Sequence, residues 1–216
     1  MPRRARLKIA GFPLHVIQRG VNRSACFVTD NDRGLYLAML EEVSGLFSCS
    51  IHAYVLMPNH VHLLLTAGNV DGASLLMKHL GQRYVQAFNR RHSRTGTLWE
   101  GRFRSCVVDS EAYLFRCHQY IEMNPVRAGM VLSPRDYAWS SYRANAEGAH
   151  SSIVTPHALY RSLGVDAQDR SARYCDLFHQ ELSDEELRQI RSAANGGSPL
   201  GLRFIGSTGD RPRNSA

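Results

Sequence analysis

Two strand-length apolar runs that meet at a Pro-Asn pair constrain this chain more than any other feature. Residues 50–57 (Ser-Ile-His-Ala-Tyr-Val-Leu-Met) and residues 60–66 flank Pro58-Asn59, a pair that favours a tight turn, so they predict a β-hairpin. Upstream, residues 12–20 read as a strand ended by Gly20. Asp30 is placed to cap a helix over 31–48, whose Leu35, Leu37, Met39, Leu40, Val43 and Phe47 give a broad apolar face. Downstream, Leu75, Leu76, Leu80, Tyr84 and Phe88 recur at helical spacing over 72–91, and residues 102–109 read as a fourth strand. Ser110 and Glu111 open a further helix, expected to end near Asn124 because Pro125 disfavours helical geometry in the residue before it.

The order β-α-β-β-α-β-α predicts an α+β fold. Its βαββαβ core is ferredoxin-like, with helices on one face of an antiparallel sheet and the other face open for a partner or a site. Residues 1–145 are expected to form this domain. Residues 146–205 are expected to add a helical extension, with short helices over 155–163 and 167–181 and a third opened by the Ser183-x-x-Glu186 capping box and closed at Asn195-Gly-Gly. Residues 206–216 are rich in Gly, Ser, Pro and Arg, which predicts disorder.

Composition narrows the class. No apolar run approaches the roughly 18 residues needed to span a bilayer, and the basic start Met1-Pro-Arg-Arg-Ala-Arg precedes no apolar signal core, so a cytoplasmic location is expected. The five cysteines are odd in number and lack C-x-x-C spacing, which argues against a disulfide framework or a cysteine zinc site. The net charge is +7, and of 26 basic residues only Lys8 and Lys78 are lysine. Arginine is preferred where planar contact with phosphate or guanine matters, so nucleic acid is a compatible partner.

His60 and His62 stand at i and i+2 on a strand and therefore share a face, while Val61, Leu63 and Leu65 share the other. Two imidazoles so placed can hold one divalent cation. Two unrelated surface histidines would give the same spacing. In the helix over 111–124, Tyr113, Arg116, Tyr120 and Asn124 form a polar stripe opposite Leu114, Cys117 and Ile121. Tyr120 is a candidate nucleophile or a packing tyrosine. Asn124 is a candidate third metal ligand or a helix cap before Pro125. Arg3, Arg4 and Arg6 form a basic arm. Arg102 and Arg104 lie beside Trp99 and Phe103, the mixture of cations and aromatics that suits single-stranded DNA.

The segments Asn59-His-Val-His-Leu-Leu-Leu, Gly101-Arg-Phe-Arg-Ser, Tyr120-Ile-Glu-Met-Asn-Pro-Val-Arg-Ala-Gly and Asp136-Tyr-Ala-Trp-Ser-Ser-Tyr together resemble the REP-associated tyrosine transposases, a branch of the HUH single-strand DNA endonucleases. The resemblance covers about residues 2–142. It implies a ferredoxin-like fold, metal-binding roles for His60 and His62, a nucleophilic role for Tyr120, and a third metal ligand at Asn124. It implies Mg2+ or Mn2+ as cofactor and single-stranded or hairpin DNA from palindromic repeats as substrate. Cleavage would join a 5′ phosphate to tyrosine and release a 3′ hydroxyl able to reverse the reaction, in a monomer or a homodimer. The basic N-terminus matches the region used for DNA contact. Two rivals are a ferredoxin-like protein that grips hairpin nucleic acid without cutting it, and a metal hydrolase using activated water, which would leave Tyr120 idle.

Overall fold

The computed structural model describes residues 8–200. The elements run β1 (Pro13–Arg19), α1 (Asp30–Leu46), β2 (Cys49–Met57), β3 (His60–Ala67), α2 (Gly72–Arg91), β4 (Arg104–Val107), α3 (Glu111–Glu122) and α4 (Asn124–Arg127), then α5 (Tyr142–Glu147), α6 (Ala158–Arg161), α7 (Ala167–Asp176) and α8 (Asp184–Gly196). The four strands form one antiparallel sheet in the order β2-β3-β1-β4. This is the α+β, ferredoxin-like arrangement expected from the βαββαβ pattern. The basic arm Arg3, Arg4 and Arg6, and the tail over 206–216, lie outside the described residues.

The first face of the sheet packs as expected. Val61, Leu63 and Leu65 from β3 join Leu14 and Val16 from β1 beneath Tyr36 and Leu40 of α1 and Leu76, Leu80 and Tyr84 of α2. Thr29, rather than Asp30, caps α1: its hydroxyl accepts from the Asp32 amide, while the Asp32 carboxylate accepts from the amides of Val28 and Thr29. This reciprocal capping box satisfies helix-end donors that a lone Asp30 would leave open.

The second face is not open. Val55, Leu64 and Cys106 on that side pack against Leu114, Cys117, Tyr120 and Ile121 of α3 and Ile190, Ala193 and Ala194 of α8. The reason is visible in β2, buried at eight of its nine positions. A strand apolar on both sides needs cover on both sides. The capping box at Ser183 and the left-handed Gly197 bound α8 where the sequence places them. The region after Gly129 is more helical than its weak pattern suggested, with α5 unanticipated and α7 ending at Asp176.

The C-terminal half also lies along both edges of the sheet. On β2, the Leu56 amide donates to the Trp139 carbonyl, the Ser141 amide to the Tyr54 carbonyl, and the Thr155 amide to the Ile51 carbonyl. At β4, the Leu200 amide donates to the Val107 carbonyl and the Asp109 amide to the Leu200 carbonyl.

Candidate active site

α3 stops one residue earlier than the proline rule suggested by itself. Met123 leaves helical geometry (φ −82°, ψ 1°), and Asn124 opens α4 with Pro125 in its first turn, where a missing N–H costs no hydrogen bond. Tyr120 and Asn124 therefore belong to two short helices joined at Met123, and both reach the histidine face of β3.

His60 and His62 point to the same side, with ring centroids 5.0 Å apart and planes at 80°. His60 is half-buried and makes a side-chain hydrogen bond with Asn124. Its Nδ1 lies 2.6 Å from the Asn59 Oδ1. That oxygen only accepts, so Nδ1 carries the proton and the Nε2 lone pair is the one open to the Asn124 carboxamide or to a cation. His62 is buried, and its Nδ1 lies 2.8 Å from Nε2 of His15 on β1. The register explains the pairing: His15 stands opposite Leu64, so His62 is its diagonal neighbour on the same face. Burial lowers the pKa of His15 and His60 to about 4, and the positive charge of Arg19 adds to the effect at His60. His62 is pushed well below the ordinary value by burial, then by its neighbours His15 and His60. All three imidazoles are neutral at pH 7.

The donor set fits a divalent cation. Two neutral imidazoles and one carboxamide converge, and each imidazole is oriented through Nδ1 by a neighbour, as metal-binding histidines usually are. If His62 ligates through Nε2, its Nδ1–H donates to His15, which then carries its own proton on Nδ1. That atom is buried with no protein partner.

Tyr120 lies at the same place. Its ring is 5.7 Å from those of both His15 and His62, edge-on to each. The Arg127 guanidinium sits 4.6 Å from the Tyr120 ring centroid and also donates to the Tyr120 carbonyl. Burial lowers the Arg127 pKa to about 10, so it stays cationic at neutral pH. The expected polar stripe is divided. Tyr113 donates its hydroxyl to Gln189, and Arg116 pairs with Glu186 at 2.9 Å, so both face α8. Tyr120 instead is buried in the same cluster as Leu114, Cys117 and Ile121. Roofing by α8 is the cause.

Arg102 and Arg104 are exposed and line a small cavity with Arg19, and Arg104 donates to Asn195 of α8 at 2.6 Å. Arg19 stands opposite His60 in the sheet register, so this cationic group borders the histidines. His15, Arg19 and Arg127 are the residues that reading the sequence missed. Arg127 lies within the segment Asn124-Pro-Val-Arg that carried the resemblance, and was legible there. His15 had no local signal.

Comparison with known proteins follows the same residues. A model of IS200-like transposases matches residues 9–124, a span that includes His15, His60, His62, Tyr120 and Asn124. A Haemophilus influenzae protein described as a REP-associated tyrosine transposase is 25% identical over 105 residues, 44% of this chain and 60% of that protein. The chain thus spans 60% of the length of that curated relative. A solved REP-associated tyrosine transposase bound to a REP hairpin superposes with a TM-score of 0.56 at 20% identity, covering 73% of this chain and 93% of that one. A transposase structure from Deinococcus radiodurans gives a TM-score of 0.40 at 24% identity, over 56% of this chain and 96% of that one.

Proposed function

The chain belongs to the IS200-like transposase family, and from that premise we propose that it cuts and rejoins single-stranded DNA through a transient bond between Tyr120 and a 5′ phosphate. The observation that carries this reading is the convergence of the Tyr120 ring with His62 at 5.7 Å, beside a His60 hydrogen-bonded to Asn124. Nothing else in the sequence requires a phenol, two imidazoles and an amide to share one place.

In this reading His60, His62 and Asn124 hold one divalent cation, Mg2+ or Mn2+. When bound, the cation polarises the scissile phosphate and draws off the charge that attack would build there. Neutral imidazoles suit that task, since no proton competes for their lone pairs at pH 7. His15 holds His62 in the ligating tautomer. The Tyr120 oxygen gives up its proton to solvent and attacks phosphorus, the bond to the 3′ oxygen of the departing strand breaks, and that oxygen takes a proton from solvent and leaves as the free 3′ hydroxyl. Arg127 keeps a positive charge beside the new phosphotyrosine, and Arg19, Arg102 and Arg104 hold neighbouring phosphates. Attack by a 3′ hydroxyl on the phosphotyrosine reverses the chemistry and rejoins DNA. The substrate is single-stranded or hairpin DNA, as in the hairpin-bound structural relative.

The test is a denaturing gel with labelled hairpin oligonucleotides and Mn2+. Wild type gives a protease-sensitive adduct and Tyr120→Phe gives none while still retarding the DNA. Cleavage by Tyr120→Phe would move the reading to activated water. Tight binding without cutting by wild type would move it to a non-catalytic hairpin-binding protein.

A further inference from the structure

A groove on the opposite face of the sheet from the histidines has no part in this chemistry. It lies between α2 and residues 99–103 and encloses about 590 Å3. Small-molecule sites span about 300–1,000 Å3. Met77, Gly81 and Val85, four residues apart along α2, border it on one side, and Trp99 and Phe103 border it on the other.

Three observations describe what would fill it. The first is polar. Gln18 and Trp99 both line the groove, and the Gln18 Oε1 and Trp99 Nε1 are buried without hydrogen-bond partners. Groups in that state normally have a reason, since leaving them unpaired is costly. One is an acceptor and the other a donor, the mixture that a nucleobase edge presents in return. The second is charge. Lys78 and Arg102 line the groove, and among the described residues no acidic one does. The third is shape. A Cβ on Gly81 would meet Gln18 Nε2 at 3.6 Å and Trp99 Nε1 at 3.7 Å, ordinary contacts. Alanine would therefore fit and would favour the helix. Packing does not account for the glycine, whereas an open groove does.

The groove is also connected to the candidate active site. Arg102 lines both the groove and the cavity that holds Arg19 and Arg104, and Arg19 stands opposite His60. Arg19, Arg104 and Arg102 thus mark a path around the β4 side of the sheet from the histidines to the groove, with Glu100 the one acidic residue that lines the connecting cavity among the described residues.

We infer that this groove receives one unpaired base of the DNA strand beyond the cleavage point, with flanking phosphates on Arg102 and Lys78. The inference rests on the single-strand DNA reading above. A paired base is excluded because it stays stacked in the duplex, bound to its partner strand, and cannot turn into a groove of this size.

Trp99 supplies the reporter, because the chain has two tryptophans and Trp139→Phe leaves Trp99 as the only one. That protein is titrated in chelator with a ten-nucleotide single strand, the same backbone lacking bases, and a duplex. The single strand is expected to change Trp99 emission and to bind about tenfold tighter than the base-free backbone, as one base on an aromatic platform allows. Val85→Phe, which narrows the groove at a half-buried position, is expected to erase that preference and leave base-free binding unchanged. Lys78→Glu, at an exposed position, is expected to weaken both single strands. Equal affinity for the two backbones, an unmoved Trp99 signal, or an undiminished base preference in Val85→Phe overturns the groove. An adduct gel run in parallel separates the two readings. An adduct with unmoved Trp99 removes the groove alone, and a Trp99 response without an adduct removes the tyrosine chemistry alone.

Discussion

Glu122 and His62 are both almost without solvent contact, and their surroundings treat them in opposite ways. The Glu122 carboxylate is completely met. Ser141 donates to one oxygen at 2.6 Å and Asn145 to the same oxygen at 2.9 Å, while Tyr174 donates to the other at 2.7 Å. These partners come from the segment before α5, from α5 and from α7, so one side chain of α3 ties the C-terminal half to the sheet. Around His62 the arrangement is left incomplete. His15 Nδ1 has no partner, His62 uses Nδ1 on His15, and His60 uses Nδ1 on Asn59 beside a further hydrogen bond with Asn124. The Glu122 carboxylate is matched by donors from three segments, whereas His15 keeps an unmatched nitrogen beside the candidate cation site.

Substitution should separate the two clusters. Glu122→Ala would leave three buried donors facing a void and is expected to cost more than about 2 kcal/mol of unfolding free energy, read from urea denaturation. A loss below that would mean the Glu122 contacts are dispensable and the contrast is false. His15→Phe removes an orienting partner while filling the space. It is expected to weaken Mn2+ binding about 10–100-fold, read by calorimetry, because losing a neighbour that orients a ligand typically has that effect. Unchanged Mn2+ affinity would show that His15 merely packs.

A further effect is on the pH dependence of stability in metal-free protein, and the two clusters have opposite signs. Burial raises the Glu122 pKa from 4.5 to about 7. The unfolded chain releases that proton first, so this term loses stability as pH rises between 4.5 and about 7. His15 and His60 are lowered from 6.5 to about 4. The unfolded chain takes up those protons first, so their term loses stability as pH falls from 6.5 towards about 4. Glu122→Gln deletes the first term only. Its stability relative to wild type is expected to improve as pH rises across that window, measured by urea melts at several pH values. A constant difference would place the Glu122 titration elsewhere.

What the sequence disclosed follows from the range over which each feature acts. The His60–His62 pair was legible because strand alternation is local, and the aliphatic residues between and after them marked the opposite face. Tyr120 and Asn124 were legible through a contiguous motif. His15 was not, since it meets His62 across 47 positions of sequence and only the β1–β3 register makes them neighbours. The Glu122 contacts join residues up to 52 positions apart and have no periodic signature. The open face was a wrong expectation for a related reason. The apolar run in β2 announced cover on both sides, yet the helix that covers it, α3, lies more than fifty residues downstream, and α8 covers β4 and β1 instead.

The segments laid along β2 and at β4 have a consequence for how two copies of the chain can meet. Strands at a sheet margin ordinarily offer a row of unpaired amides and carbonyls, and a second chain can dock there by continuing the ladder. Here Leu56, Tyr54 and Ile51 on one margin, and Val107 and Asp109 on the other, already bond to their own chain. Among the described residues, a second strand added along β2 or at the Val107 end of β4 would first have to displace these segments of the C-terminal half.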